Sequence, residues 1–254
     1  MTLVVAHRGA SRDAPENTME AFRRAVEAGA DAIECDVHLT ADGELAVVHD
    51  ATLERTTDRT MAVASTTMAD LRSADAGWAF PGPDGTYPFR GEGLTVPTLR
   101  EVVAWLPAGV GLAVEIKAPE AVERMVAALA GSAVREAGLV SVVSFHEAAL
   151  DQSRSLAADL PTGLLLVPGD SFERGLTWCV EHGHAAVLPY EADLGADPIP
   201  LVQHAARLDR RVGCYVVNDP DRMQQLAAAG VWGFVTDVPD VARAVLRPPP
   251  LPDV

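Results

Sequence analysis

The chain has 254 residues, 48% hydrophobic and only 5% aromatic, so it has ample material for a large core made mostly of Ala, Val and Leu. A formal net charge of −16 argues against nucleic acid or a stable membrane association, and an anionic substrate would need positive charge from a metal or a few placed cations. The start carries no signal-peptide pattern, no apolar run approaches a membrane span, and three scattered cysteines (Cys35, Cys179 and Cys214) suit reduced thiols, so a cytoplasmic protein is expected.

Apolar, β-branched runs predict strands at 3–6, 32–37, 112–116, 140–144, 162–167, 185–188, 212–217 and 232–236. Helical patterns fall at 18–28, 98–105, 120–130, 146–158, 172–182, 198–209, 219–228 and 239–246. Eight strands, each eventually followed by a helix, predict an α/β fold of the (β/α)8 TIM-barrel type, as a single domain over 1–254. An open doubly wound sheet is the alternative. It usually carries a Gly-rich phosphate turn after its first strand, and neither GxGxxG nor GxxxxGK[ST] occurs.

The first strand runs directly into His7-Arg8-Gly9. A histidine at a strand end suits general acid–base work, because its pKa lies near neutrality. Pro15-Glu16-Asn17-Thr18 follows, with Thr18 the expected N-cap of the first helix and Ala21 at the capping-box position. Capping leaves the Glu16-Asn17 pair unexplained.

The second strand places Glu34, Asp36 and His38 on one face and Ile33, Cys35 and Val37 on the other. In a barrel the apolar face meets the helices and the acidic face points inward. Carboxylates there are costly unless they are paired or hold a cation. Thr40-Ala-Asp-Gly43 then signals a turn, and Leu45-Ala-Val-Val-His49 reads as a hairpin return strand. It ends on a second candidate acid or base, His49. Residues 51–97 form a long excursion, and Trp78, Phe80, Tyr87 and Phe89 within it favour an ordered cap.

The next strand ends in Glu115-Ile-Lys117. Residues two apart share a face, so a carboxylate and an ammonium lie side by side at its carboxyl end, where ligands bind in such folds. Lys117 is the chain's one lysine. An ammonium reaches a single oxygen as a compact charge, which Arg does not. Glu115 joins Glu34 and Asp36 as three oxygen donors suited to one hard divalent ion, Mg²⁺ or Ca²⁺. His38 and His146 are weaker candidates. His182, His184 and His204 lie in helical or linker contexts and read as surface or packing residues. The tail Arg247-Pro-Pro-Pro250 reads as extended or frayed.

Together these pieces resemble the glycerophosphodiester phosphodiesterase family. The matching segments are His7-Arg-Gly-Ala, Pro15-Glu-Asn-Thr18, Ala32-Ile-Glu34-Cys-Asp36-Val, Val48-His49-Asp50, Val114-Glu115-Ile-Lys117 and Phe234-Val-Thr236-Asp237. The resemblance implies a phospholipase-C-like barrel with one divalent metal, hydrolysing a glycerophosphodiester to glycerol 3-phosphate and an alcohol. It carries the metal ligands to Glu34, Asp36 and Glu115, and the acid and base to His7 and His49. It places Arg8 and Lys117 against the phosphate, with Glu16 and Asn17 as support beside the first histidine. It makes 51–97 the insertion that caps the site and shapes the alcohol pocket. Three positions depart from the family pattern: Tyr215 stands where Trp is frequent, Val231-Trp232-Gly233 lacks the usual Asp before its Gly, and Met61 replaces a common Gly. The first leaves a smaller aromatic wall with an added hydroxyl. Two rivals share these residues, a lipid-cleaving phospholipase-D-like relative and a non-catalytic barrel that binds phosphorylated ligands. The modest insertion argues against the former and the acid–base pair against the latter.

Overall fold

The structure, a computed structural model, describes residues 1–246, so the Pro-rich tail from Arg247 lies outside the described residues. Among the described residues there are nine strands: β1 (Leu3–Ala6), β2 (Ala32–Leu39), β3 (Leu45–Val47), β4 (Gly111–Ile116), β5 (Val140–Ser144), β6 (Thr162–Leu165), β7 (Ala186–Leu188), β8 (Arg211–Cys214) and β9 (Gly233–Thr236). All but β3 are parallel and close into a ring, with β9 pairing β1 and β1 pairing β2. β3 is the predicted hairpin return, antiparallel to β2.

The helices are α1 (Met19–Glu27), α2 (Met68–Leu71), α3 (Leu99–Trp105), α4 (Val122–Leu129), α5 (Ala133–Glu136), α6 (Glu147–Leu156), α7 (Phe172–His182), α8 (Ile199–Arg207), α9 (Pro220–Ala228) and α10 (Pro239–Leu246). α7 matches its predicted span to the residue, and α10 begins where predicted and runs to the last described residue. α2 and α5 were not expected, because a single turn is too short to show a 3.6-residue period. The predicted 120–130 helix divides into a tight turn at Pro119–Ala121 and α4. β8 stops at Cys214 rather than 217; beyond it a lone bridge joins Tyr215 to Tyr190, and the Val217 N–H donates to the Val235 carbonyl at 2.9 Å. Thr18 caps α1 through the Ala21 amide, as expected, and Thr98 with Glu101 forms a full capping box on α3.

Strand residues facing the helices are almost wholly buried. Ile33, Val114, Val142, Leu164 and Phe234 pack beneath Phe22, Met125, Leu150 and Leu226. Each such side chain contributes about 1.5–3 kcal/mol on burial. The inward face is different in kind. Ala32, Ala113, Ser141, Gly163, Ala186, Gly213 and Gly233 are small, and they line a cavity of about 460 Å³ inside the barrel. It extends from Arg211 and Trp232 at the amino ends of the strands to His7, Glu34, Glu115 and Lys117 at the carboxyl ends. Trp232 therefore belongs to the barrel floor, away from the mouth. Arg211 lies over its ring at 5.0 Å.

The 51–97 excursion builds its own small core, in which Leu53, Val63, Met68, Leu71 and Val96 pack with Ala46 and Val48 of the hairpin and with Met61. Its tip is aromatic. Phe80 and Phe89 meet edge to face, and Arg90 stacks on Trp78 and Tyr87. No residue of 51–97 is among those lining the barrel cavity. The insertion instead leans on the flank of the site, where Thr56, Thr57, Ala76 and Val96 meet Glu16, Asn17 and His49 around a second, small pocket.

Candidate active site

Parallel register brings the acids together. β2 pairs β4 with Asp36 opposite Glu115, and Glu34 lies two residues earlier on the same face. The three side chains are buried, and each offers an oxygen within 4.8 Å of the others. Glu34 Oε1 is fully buried and accepts no hydrogen bond among the described residues. A buried carboxylate oxygen without a partner is costly. Three oxygen donors converging from neighbouring strands, one of them orphaned, fit a hard divalent cation.

The electrostatics point the same way. Burial, reinforced by Asp36 and Glu115, pushes Glu34 well above the usual carboxylate range. Burial and then Asp36 push Glu115 up to about 7. Burial also acts on Asp36, but Lys117 and Arg8 outweigh it and hold that group at about 2. Without a cation, burial works against ionising Glu34 and Glu115, whereas Lys117 and Arg8 keep Asp36 an anion.

Lys117 Nζ lies 2.5 Å from Glu115 Oε1 and 2.8 Å from Asp36 Oδ1. Its ammonium is raised despite burial, by Asp36 and then Glu115. Arg8 approaches from the other side. Its backbone N–H donates to Glu34 Oε2 at 3.0 Å, and its Nε is 3.2 Å from Asp36 Oδ2. That placement depends on a left-handed backbone, with Arg8 at φ 54° and Asn17 at φ 56°. Such conformations persist in non-glycine residues only where the surroundings over-determine them. Asn17 donates from its backbone N–H to the Arg8 carbonyl at 2.9 Å and from Nδ2 to Asp36 Oδ2 at 2.7 Å. Gly9, at φ 86°, is required for a further reason: a Cβ there would lie 2.5 Å from the Ala21 carbonyl carbon of α1.

Glu16 faces arginines. It accepts from Arg8 Nη1 at 2.8 Å and from both terminal nitrogens of Arg55. Arg55 donates from Nε to Asp50 Oδ2 at 2.6 Å. Arg55 of the insertion thus ties Glu16 to Asp50, the partner of His49.

His7 and His49 carry matching partners. His7 Nδ1 lies 2.6 Å from Asp237 Oδ1, and His49 Nδ1 lies 2.6 Å from Asp50 Oδ1. A carboxylate accepts only, so each Nδ1 bears a proton and proton exchange is left to each Nε2. Asp237 is held in turn by Ser11 Oγ at 2.9 Å and Asn218 Nδ2 at 2.6 Å. Burial draws the His49 pKa below its ordinary value, against the pull of Asp36 and Asp50. Asp50, Asp237, Ser11, Arg55 and Asn218 had no role in the sequence reading. The adjacency of His49 and Asp50 was a usable signal, whereas the Asp237 pairing spans 230 positions and appears only when the barrel closes.

The remaining candidates stand aside from the acids. His38 Nε2 bonds the His49 carbonyl at 3.0 Å. His146 is the N-cap residue of α6. Tyr215 lines the cavity with its ring, edge to face with Phe145 at 5.8 Å. Its hydroxyl donates to the Leu166 carbonyl, so the added hydroxyl is consumed by the backbone.

The chain is similar to known proteins over nearly its whole length. The sequence is 34% identical to a glycerophosphodiester phosphodiesterase of Caldanaerobacter subterraneus subsp. tengcongensis, over 97% of this chain and 98% of that protein. It is 32% identical to a glycerophosphodiester phosphodiesterase of Bacillus subtilis, over 96% of this chain and 86% of that one. Among solved structures, a phosphodiesterase of Oleispira antarctica in complex with the product sn-glycerol-3-phosphate superposes with a TM-score of 0.84 at 24% identity, over 97% of each chain. A further barrel, a putative glycerophosphoryl diester phosphodiesterase from Silicibacter pomeroyi, gives 0.81 at 28% identity, over 97% of this chain and 93% of that one. The profile of the glycerophosphoryl diester phosphodiesterase family matches residues 7–241, and this chain belongs to that family.

Proposed function

We propose that this chain hydrolyses glycerophosphodiesters to glycerol 3-phosphate and an alcohol, with His7 and His49 exchanging protons on opposite sides of phosphorus. The observation that carries it is the pair of histidines, each oriented by a carboxylate on Nδ1, beside a buried cluster of three acids. A binding protein needs no such pair.

Glu34, Asp36 and Glu115 would hold one divalent cation, Mg²⁺ or Ca²⁺. When bound, it supplies positive charge to the phosphate oxygens. Lys117 and Arg8 add cationic charge as the phosphate becomes more negative in the transition state. One histidine takes at Nε2 the proton of the attacking oxygen, that of water or of the neighbouring glycerol hydroxyl with water following, while the other enters protonated at Nε2 and gives that proton to the departing alkoxide. Asp237 and Asp50 hold a proton on each Nδ1, so that Nε2 is bare in the base and protonated in the acid. Asn17 fixes Asp36, and Glu16 fixes Arg8, so both act as support rather than as direct phosphate contacts. Phe145 and the Tyr215 ring form the apolar wall toward the alcohol.

Among the described residues no helix is long and apolar enough to cross a membrane. The three cysteines are buried and unpaired, which supports a reducing, cytoplasmic setting. The test is a panel of diesters bearing glycerol, choline, ethanolamine and a monoacylglycerol group, assayed with Mg²⁺, Ca²⁺ and Mn²⁺ for glycerol 3-phosphate release. Release from none of them with any of the three ions would defeat the reading.

A further inference from the structure

We propose that Asp151, His182 and His184 form a second cation site, selective for late first-row divalent ions of the Zn²⁺ class and separate from the phosphodiesterase site. The three residues come from different places. Asp151 lies midway along α6, His182 ends α7, and His184 follows Gly183, which takes φ 74° to turn the chain toward β7. His182 Nδ1 is 3.0 Å and His184 Nε2 is 3.2 Å from the same oxygen, Asp151 Oδ1. Their ligand atoms all fall within 4.8 Å of one another. Two imidazole nitrogens and one carboxylate therefore converge on one point. Spacings near 3 Å are those between neighbouring ligands around an ion bound at about 2.0–2.2 Å.

The surroundings are those of a ligand set. His184 is fully buried, whereas the His182 and Asp151 side chains are 40% and 45% exposed. The site thus has one fixed anchor and two ligands at the surface, with water free to complete the coordination. His184 Nδ1 lies 2.8 Å from Thr162 Oγ1, the outer partner that fixes a metal-binding imidazole with its other nitrogen turned to the ion. Trp178 stacks on both rings, at 4.7 Å from His182 and 4.4 Å from His184, and holds them nearly parallel. Arg154 lies close enough to His184 to oppose a cation, which limits the affinity.

The donor set decides the ion. Two imidazoles with one carboxylate suit Zn²⁺, Ni²⁺ or Cu²⁺, whereas Mg²⁺ and Ca²⁺ prefer oxygen cages such as the acidic cluster in the barrel. The location suggests what the ion does. Thr162 opens β6 and His184 precedes β7, so the cluster sits toward the amino ends of the strands, the stabilising face of a barrel. An ion there ties α6 to the end of α7.

Trp178 provides the readout. With the full chain in excess Mg²⁺, so that the acidic site is supplied with a hard ion, Ni²⁺ is titrated and indole emission followed. Saturable quenching is expected with a midpoint between about 1 and 100 µM, a modest affinity. His182→Ala and Asp151→Asn should each move the midpoint at least about tenfold. Trp178→Phe should abolish the quenching while Ni²⁺ uptake, measured by calorimetry, persists. Zn²⁺ should raise the melting temperature of the wild type but not of His182→Ala. Both substituted ligands are partly exposed and outside the phosphodiesterase site, and unchanged Mg²⁺-supported hydrolysis checks that the variants fold. No saturable quenching below about 1 mM, or the same midpoint in both variants, would reduce the cluster to a hydrogen-bonded clamp.

Discussion

His7, at the end of β1, is bound to Asp237, at the end of β9, across the seam where the barrel closes, with Nδ1 and Oδ1 2.6 Å apart. The register explains it: Ala6 pairs Thr236, so the next residue of each strand stands side by side. Asp237 accepts from three donors, namely the His7 ring, the Ser11 hydroxyl and the Asn218 amide. Those donors, led by the His7 hydrogen bond, hold it at about 2 against the opposing effect of burial.

Asp237→Asn tests that arrangement. An asparagine side chain has one acceptor oxygen for three donors, and its NH₂ must face one of them. The His7 ring loses its orienting acceptor or turns to the other tautomer. A fall in kcat of at least about tenfold is expected, or 1.4 kcal/mol of transition-state stabilisation, with little change in KM. A changed KM at constant kcat would make Asp237 a substrate-binding residue instead.

The histidines themselves should matter more. His7→Ala and His49→Ala should each lower the maximal rate by about 10²–10⁴-fold on a diester with a poor leaving group. A p-nitrophenyl diester scarcely needs protonation of its leaving group, so it should restore much of the rate in one variant only. That variant identifies the acid. Rescue of both or of neither would break the assignment of opposite roles.

Much of this site was legible in the sequence because it follows from strand periodicity. Glu34 and Asp36 share a face by the two-residue repeat, and parallel pairing sets Asp36 opposite Glu115. The closed barrel was legible from the alternation of strand and helix. The partners that depend on closure or on lateral helix packing were not. Asp237 meets His7 only through the β9–β1 seam, and Arg55 reaches Glu16 only because the insertion folds back on its own small core. His182 and His184, expected as surface or packing residues, meet Asp151 because α6 lies against α7. The insertion was expected to shape the alcohol pocket, but it packs against the flank, since its apolar residues find Ala46 and Val48 of the hairpin.

The contribution of Glu34 and Glu115 to metal-free stability should depend on pH with a definite sign. Glu115 is raised to about 7 in the folded chain, chiefly by burial, from an ordinary value of 4.5. Glu34 shifts in the same direction. The folded state keeps these protons where the unfolded chain has lost them, so their contribution is complete below the unfolded value and disappears as pH rises through the folded one. Asp36, lowered to about 2, acts only in a more acidic window. His49 opposes, since a lowered histidine favours the folded state as pH rises through its ordinary 6.5. The difference between metal-loaded and metal-free melts removes much of that background. The gain in melting temperature with Ca²⁺ or Mg²⁺ over EDTA should therefore grow from pH 5 to pH 7.5. A gain independent of pH would mean that these acids do not hold the ion.

Lys117 bridges two of the three acids, at 2.5 Å from Glu115 and 2.8 Å from Asp36, and only 12% of its side chain is exposed. Lys117→Arg keeps the charge but replaces a compact ammonium by a longer planar fork. In so confined a position the fork must either project into the phosphate's space or pair with Glu115 and draw it from the acid cluster. Either route should reduce kcat/KM at saturating metal by at least about tenfold, which is about 1.4 kcal/mol. The two routes separate on metal affinity: withdrawal of Glu115 weakens metal binding, whereas intrusion on the phosphate leaves it unchanged. A purely structural ion pair would tolerate Arg with a stability change within about 0.5 kcal/mol and no change in rate. Melting temperature, metal affinity and kcat/KM of the purified variant, measured together, distinguish these outcomes. Unaltered efficiency in a folded, metal-loaded Lys117→Arg variant would remove Lys117 from the catalytic machinery.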